Sequence, residues 1–255
     1  GTGLRLESTA AADLVGVTIA GNNISDTTEE GLEIIMDTGD LLTASITGNV
    51  IDTCTNGAGV RISGASSLLS SVIISDNAFR TLDDGAISLS PGGGVSNLDI
   101  TGNSIADWNT DADTGTTLGS GIRLSCTTAD AVTISDNTLR TGNDGSTGIY
   151  ILVSGALRAF AVSDNVIRMS SDTNTTSMLL GDSGTGTQMG LSVTGNTFFG
   201  AGNGVDRVGG STVAPDRSVC AHNVERTGVA GGAAGNWATF AGYFSVNSIS
   251  TPNQD

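Results

Sequence analysis

Val17-Thr18-Ile19-Ala20-Gly21-Asn22-Asn23-Ile24 is the first of eight copies of one phrase: two or three β-formers, usually Ser or Thr, Gly or Asp, Asn, a free position and an apolar residue. The phrase returns around Asn49, Asn77, Asn103, Asn137, Asn165, Asn196 and Asn223, at spacings of 27, 28, 26, 34, 28, 31 and 27 residues. A period in the twenties is the mark of a solenoid, in which each unit closes its apolar face only by stacking on the next. A second strand keeps step with the first. It reads Gly3-Leu4-Arg5-Leu6, Gly31-Leu32-Glu33-Ile34, Gly59-Val60-Arg61-Ile62, Gly85-Ala86-Ile87, Gly121-Ile122-Arg123-Leu124, Gly148-Ile149-Tyr150-Ile151 and Gly204-Val205-Asp206-Arg207, with Ser177-Met178-Leu179-Leu180 as a variant. Its alternation has the period of two that marks a half-buried strand, and no window carries a helical period.

Each unit is therefore read as two short strands plus turns. The fold expected is all-β: a single right-handed parallel β-helix of about eight coils spanning 1–227. At ~4.8 Å per rung it forms a rod roughly 38 Å long. The eight asparagines are assigned to structure. Asn tolerates a left-handed backbone at a tight bend, and stacked amides form an internal ladder. Where Asp precedes the ladder Asn, Arg follows three residues after it: Asp76 with Arg80, Asp136 with Arg140, Asp164 with Arg168. These are expected to form ion pairs across the turn; the alternative is an arginine row for an anionic ligand.

Net charge is −16, from 26 acidic residues and ten arginines, with no lysine. Such acidity argues against nucleic-acid partners. A Lys-free surface fits a high-salt habitat, where self-repulsion is screened, or a genome rich in Arg codons. No apolar run is long enough to cross a membrane. The three cysteines do not form a disulfide framework: Cys126 and Cys220 sit at inward strand positions several coils apart and read as buried thiols. The chain opens within a coil at Gly1-Thr2-Gly3-Leu4, so residues upstream are expected to cap it against edge pairing. Residues 228–255 change character to a Gly/Ala-rich linker followed by Trp237, Phe240, Tyr243 and Phe244. They read as a cap, with 244–249 a degenerate ninth coil, or as an oligomer contact.

Function in a solenoid gathers where the repeat breaks. The 34-residue coil after Asn103 carries Asp107-Trp108-Asn109-Thr110-Asp111-Ala112-Asp113. Oxygen ligands alternate at Asp107, Asn109, Asp111 and Asp113, as at the opening of a calcium loop, but Ala112 stands where an EF-hand needs Gly. No cofactor is expected, and the two readings of this stretch are a Ca2+ site and a plain acidic loop. Trp108 and Asp107 are candidate glycan contacts, with the indole either stacked on a sugar ring or packed over a strand. Glu29-Glu30 and Asp83-Asp84 are placed on the same turn two coils apart. That gives ~9.6 Å between the pairs, at the upper edge of an inverting glycosidase's carboxyl separation. Asn143-Asp144 falls near the same turn further on. His222, the one histidine, reads as a turn residue.

The stacked asparagines and the Ile-Ser/Thr-Gly/Asp-Asn-x-Ile phrase resemble the pectate-lyase-like β-helix superfamily. It includes pectin-cleaving enzymes, polysaccharide epimerases, and viral tailspikes and adhesins. Asp83-Asp84-Gly85-Ala86-Ile87 resembles the paired-aspartate strand of polygalacturonases, but their Gly-His-Gly and Arg-x-Lys are absent. The resemblance implies a receptor-binding or adhesion β-helix of a virion tailspike, extracellular or on a virion surface. Such a protein presents loops to a cell-surface polysaccharide, commonly as a homotrimer within a larger assembly. The alternatives it leaves are a polysaccharide hydrolase using Glu29, Glu30, Asp83 and Asp84, and a passive surface stalk.

Overall fold

The computed structural model of the chain describes residues 1–9, 11–110, 119–142, 145–169, 175–181, 188–199, 203–207, 219–226 and 249–250. Every element among them is a β-strand, and every pairing is parallel to the equivalent strand of a neighbouring coil. Three sheets result. The first stacks Leu4–Ser8, Leu32–Met36, Val60–Gly64, Ile87–Pro91, Ser120–Cys126, Thr147–Val153, Thr176–Gly181 and Asn203–Arg207. The second stacks Leu14–Ala20, Leu41–Thr47, Leu68–Ser75, Gly94–Thr101, Ala129–Ser135, Leu157–Ser163, Gln188–Thr194, Val219–Ala221 and Ile249–Ser250. The third stacks Asn23–Thr27, Val50–Cys54, Ala78–Leu82, Ser104–Trp108, Thr138–Gly142, Val166–Met169, Thr197–Phe199 and Val224–Arg226.

The chain is thus an all-β parallel solenoid, with two departures from expectation. Each turn holds three strands, not two, because the residues just after the ladder Asn form a strand of their own. The stack expected as eight coils is about six turns traced from Leu4 to Met169. Two further rungs extend the first and third sheets and three the second, with some of their connections outside the described residues. Ile249–Ser250 pairs with Val219–Ala221 as a ninth strand of the second sheet, while residues 227–248, including the four aromatics, lie outside the described residues.

The core is a set of columns, one residue per coil. Ile19, Ile46, Ile74, Ile100, Ile134, Val162 and Val193 are in register along the second sheet. Ile24, Ile51, Phe79, Ile105, Leu139, Ile167 and Phe198 follow along the third. All but Ile24 are buried, so burying one coil's apolar face requires its neighbours. Gly31 has a positional reason. A Cβ there would collide with Ile51 Cγ2 and sit 2.8 Å from the Gly59 carbonyl of the next coil.

The second-to-third corner explains the Gly/Asp alternation. Gly21, Gly48, Asp76, Gly102, Asp136, Asp164, Gly195 and His222 all have φ between 56° and 68°. That left-handed bend suits Gly, and Asp among the other residues. The bend therefore belongs to the residue before the ladder Asn, not to the Asn itself, and His222 is a turn residue. The asparagines point inward and form the expected ladder. Each Nδ2 donates to the Oδ1 of the next coil's Asn at 2.9 or 3.0 Å, from Asn22 through to Asn223. The same Oδ1 accepts the preceding Asn's backbone N–H, and the second Nδ2 proton goes to a backbone carbonyl such as Ile100 O. An interior amide so makes all four of its hydrogen bonds.

The expected Asp–Arg ion pairs do not form. Among the described residues the ion pairs are Arg5–Glu7, Arg5–Glu33 and Arg61–Glu30. The corner turns the chain between the two partners. Asp76 Oδ1 lies where a Cβ on Gly102 would approach it at 2.7 Å, and Asp164 Oδ1 stands likewise over Gly195. The arginines point outward from the third sheet instead. Cys54 and Cys126 are buried free thiols, and burial pushes the Cys126 thiol up to about 12.

Candidate functional site

In the first sheet, side chains alternate between the core and the outer face. Leu4, Leu32, Val60, Ile87, Ile122 and Ile149 form an inward column. The next residue of each strand points outward, giving the in-register row Arg5, Glu33, Arg61, Ser88, Arg123, Tyr150. Opposite charges alternate at its start, and Arg5 Nη1 lies 3.5 Å from Glu33 Oε2. Glu30, from the turn entering the same coil as Glu33, accepts from Arg61 Nη1 at 2.8 Å.

These charges are set down on the sheet rather than fully in water. Glu30 and Glu33 are each 7% exposed. Burial raises the Glu33 carboxyl above its ordinary value, and the neighbouring Glu30 adds to this against the pull of Arg5 and Arg61. The hydrogen bond to Glu30 raises Arg61, with Glu33 and Asp84 acting in the same direction. Burial lowers Arg123, opposed by Tyr150 and Asp84, and among the described residues its Nε has no hydrogen-bond partner. Burial likewise raises the Tyr150 phenol, against Arg123. Glu30, Glu33, Arg61, Asp84, Arg123 and Tyr150 are therefore one electrostatically joined group.

Beside this row runs the second outward column, Glu7, Ile35, Ser63 and Ser90. It lines a shallow groove of about 420 Å³ that follows the corner across four coils, with Met36, Asp37 and Ala65 on its walls. The volume falls in the range of small-ligand clefts. Small side chains at Ser63, Gly64, Ala65 and Ser90 leave the trough open, while Glu7 and Asp37 supply acceptors. The combination of a groove, guanidinium donors and carboxylate acceptors suits a ligand rich in hydroxyls.

The residues expected from sequence divide. Glu30 and Asp84 join the group around Arg61. Glu29 instead accepts from Thr2 Oγ1 at 2.9 Å, and Asp83 from Thr110 Oγ1 at 3.3 Å. The two acidic pairs are also one residue out of step. Gly3, Gly31 and Gly59 donate to the carbonyls of Glu30, Ala58 and Gly85, so Gly85 is the counterpart of Glu30 and Asp84 that of Glu29. Trp108 is a core residue with no exposed surface, in register with Leu82, which removes the sugar-stacking role expected of it. Asp107 is exposed beside it, whereas Asn109 is wholly buried, so these two expected calcium ligands face different surroundings. Asp111, Asp113 and Asn143-Asp144 lie outside the described residues. Among the described residues no group of three or more His, Cys, Asp or Glu stands together to hold a metal.

Glu33, Arg123 and Tyr150 were not anticipated as site residues. The signal for them was the outward position of the Gly-Leu-x-Ile strand, visible once the repeats are stacked at their true spacings.

One consequence is testable by pH. A carboxyl held above its ordinary value keeps its proton in the folded chain after the unfolded chain has released it. Glu33 thus makes stability fall as pH rises through the interval above 4.5, and the loss persists at higher pH. Glu33→Gln, neutral throughout, is expected to gain thermal stability relative to the parent as pH rises from 4 to 8. A midpoint difference that is flat with pH, or shrinks, contradicts this.

No protein-family model, no curated protein and no solved structure matches the chain. Its three parallel sheets and Asn ladder are compatible with a β-helix superfamily.

Proposed function

We propose that this solenoid is a receptor-binding or adhesion rod of the tailspike kind, exposed on a virion or cell surface as a homotrimer, and that its first-sheet face grips a surface polysaccharide. The observation that carries this is the groove lined by Ile35, Ser63 and Ser90 running beside the Arg5–Glu33–Arg61 row. A linear sugar chain laid along the rod meets an open trough on one side and fixed donors and acceptors on the other. Because Glu30 and Glu33 hold Arg5 and Arg61 in place, the guanidiniums lose little freedom on binding.

A glycan array probed with the parent, Arg61→Ala and Ser63→Trp tests the proposal. The parent is expected to bind a defined glycan class. Arg61→Ala should weaken it roughly 10-fold, the loss of one charge-assisted contact, and Ser63→Trp, which fills the groove, should abolish it. A parent that binds no glycan overturns the proposal in favour of a passive stalk. Two variants that bind as the parent does overturn the location.

Hydrolysis is a second reading, favoured by the position of Glu33. A buried carboxyl whose acidity is weakened by burial is suited to protonate a glycosidic oxygen. A carboxylate to activate water would come from the same face, where Asp84 lies two rungs along in the turn aligned with Glu29, further from Glu33 than two rungs alone. Reducing-end release that disappears in Glu33→Gln while binding persists would support it. Binding by the parent without release rejects it.

A further inference from the structure

The third sheet carries a second charged row whose composition is unlike the rest of the molecule. Ser25, Asp52, Arg80, Ala106, Arg140, Arg168, Phe199 and Arg226 are in register, one per coil. Four of the chain's ten arginines thus fall in one column. Arg80, Arg140 and Arg168 are exposed, and none forms an ion pair among the described residues, although 26 acidic residues are available in the chain. Arg80 faces Asp52 in register without closing a pair, and Arg140 faces Arg168 directly.

Like charges opposite one another on adjacent strands cost stability. A fold that keeps such a pair breaks a local rule, and broken rules concentrate at functional places. The column on one side of the arginines is free of carboxylates, with Ala78, Ser104, Thr138, Val166 and Thr197 in register, while on the other side exposed Asp107 follows Ala106 between the rungs of Arg80 and Arg140. Arg168 is steadied by Phe199, its guanidinium carbon 5.0 Å from the ring centroid, which leaves the guanidinium edge free. The row lies along the rod, with the rungs of Arg80, Arg140 and Arg168 separated by ~9.6 and ~4.8 Å.

We propose that this row binds a linear acidic polysaccharide laid along the third sheet, its carboxylate or sulfate groups held by Arg80, Arg140 and Arg168. A single small anion would engage one guanidinium, whereas a line of them matches anionic groups that recur along a polymer. The planar fork of Arg suits both oxyanions. The net charge of −16 does not forbid the contact, because at physiological ionic strength distant charges are screened beyond ~8 Å while the row acts at contact distance. Single-stranded nucleic acid is disfavoured: it needs a succession of stacking rings, and the single ring of this row is covered by Arg168. The inference does not rest on the first-sheet groove.

Biolayer interferometry on the full chain at physiological ionic strength tests it. The probes are polygalacturonate, dextran sulfate, neutral dextran and oligo(dT). The parent is expected to bind one or both acidic polysaccharides and not dextran. The Arg80→Ser/Arg140→Ser/Arg168→Ser variant should lose roughly 10- to 100-fold in affinity, and Arg158→Ser, an exposed arginine of the second sheet, none. All three positions are exposed, so the triple variant should melt as the parent does or slightly higher, and circular dichroism checks this. No binding to either acidic polymer, equal binding by the triple variant, equal affinity for dextran or oligo(dT), or an equal loss of binding in Arg158→Ser each overturns the proposal.

Discussion

Asn137→Ala is expected to destabilise the protein by about 4 kcal/mol, in the upper range for a single substitution. The Asn137 amide accepts from the Asn103 backbone N–H at 3.0 Å and from Asn103 Nδ2 at 2.9 Å. It donates to Ile100 O and to Asn165 Oδ1. Alanine leaves two donors and one carbonyl without partners where water does not reach, and each orphan costs about 1–3 kcal/mol. Asn137→Asp keeps an acceptor but sets a carboxylate against the Ile100 carbonyl and Asn165 Oδ1. It should be the more damaging of the two at neutral pH and recover in part on acidification. Urea unfolding of both variants checks the order. A loss under 1 kcal/mol for Asn137→Ala would mean that the ladder is ornamental to stability.

Trp108→Ala is expected to cost about 4 kcal/mol while leaving glycan binding by the folded protein unchanged. Deleting a buried aromatic side chain removes its transfer free energy and leaves a cavity that neighbours fill only partly. Trp108 has no exposed surface, and Gly121 packs so near that a Cβ there would lie 3.4 Å from Cε2 of the indole. Its Nε1–H has no hydrogen-bond partner among the described residues, so Trp108→Phe, which removes that buried donor along with volume, should cost much less. Paired melting and binding curves separate the core role from a sugar platform. Lost binding with unchanged stability would restore the platform.

The solenoid was legible in the sequence because its determinants recur at fixed intervals along the chain. The ladder asparagines and the aliphatic columns are visible by spacing alone. The third strand was less so. Asn23–Thr27 and its equivalents start immediately after the ladder residue, and Asp26, Thr53, Thr81 and Asp107 have positive φ, which breaks a simple alternation. Trp108 was nonetheless readable as core: aligning Ser104–Trp108 with Ala78–Leu82 places it on Leu82, which is buried.

The site was harder because its partners belong to different coils. Asp76 and Arg80 are close along the chain yet separated by a corner, whereas Arg61 and Glu30 are 31 residues apart and touch. Charge complementarity in a solenoid runs across the repeat, so the row Arg5, Glu33, Arg61 appears only after the coils are stacked. The one-residue offset between Glu30 and Asp84 arises because adjacent turns differ in length, and that offset is fixed by backbone hydrogen bonds rather than by motif.

Hydrogen–deuterium exchange with and without the bound glycan tests most directly the claim that the first-sheet face is the functional face. Protection is expected in peptides covering 30–37, 58–66 and 84–91, with the second-sheet strands unchanged. Protection confined to the second sheet, or none on the first-sheet strands at saturating glycan, would contradict it.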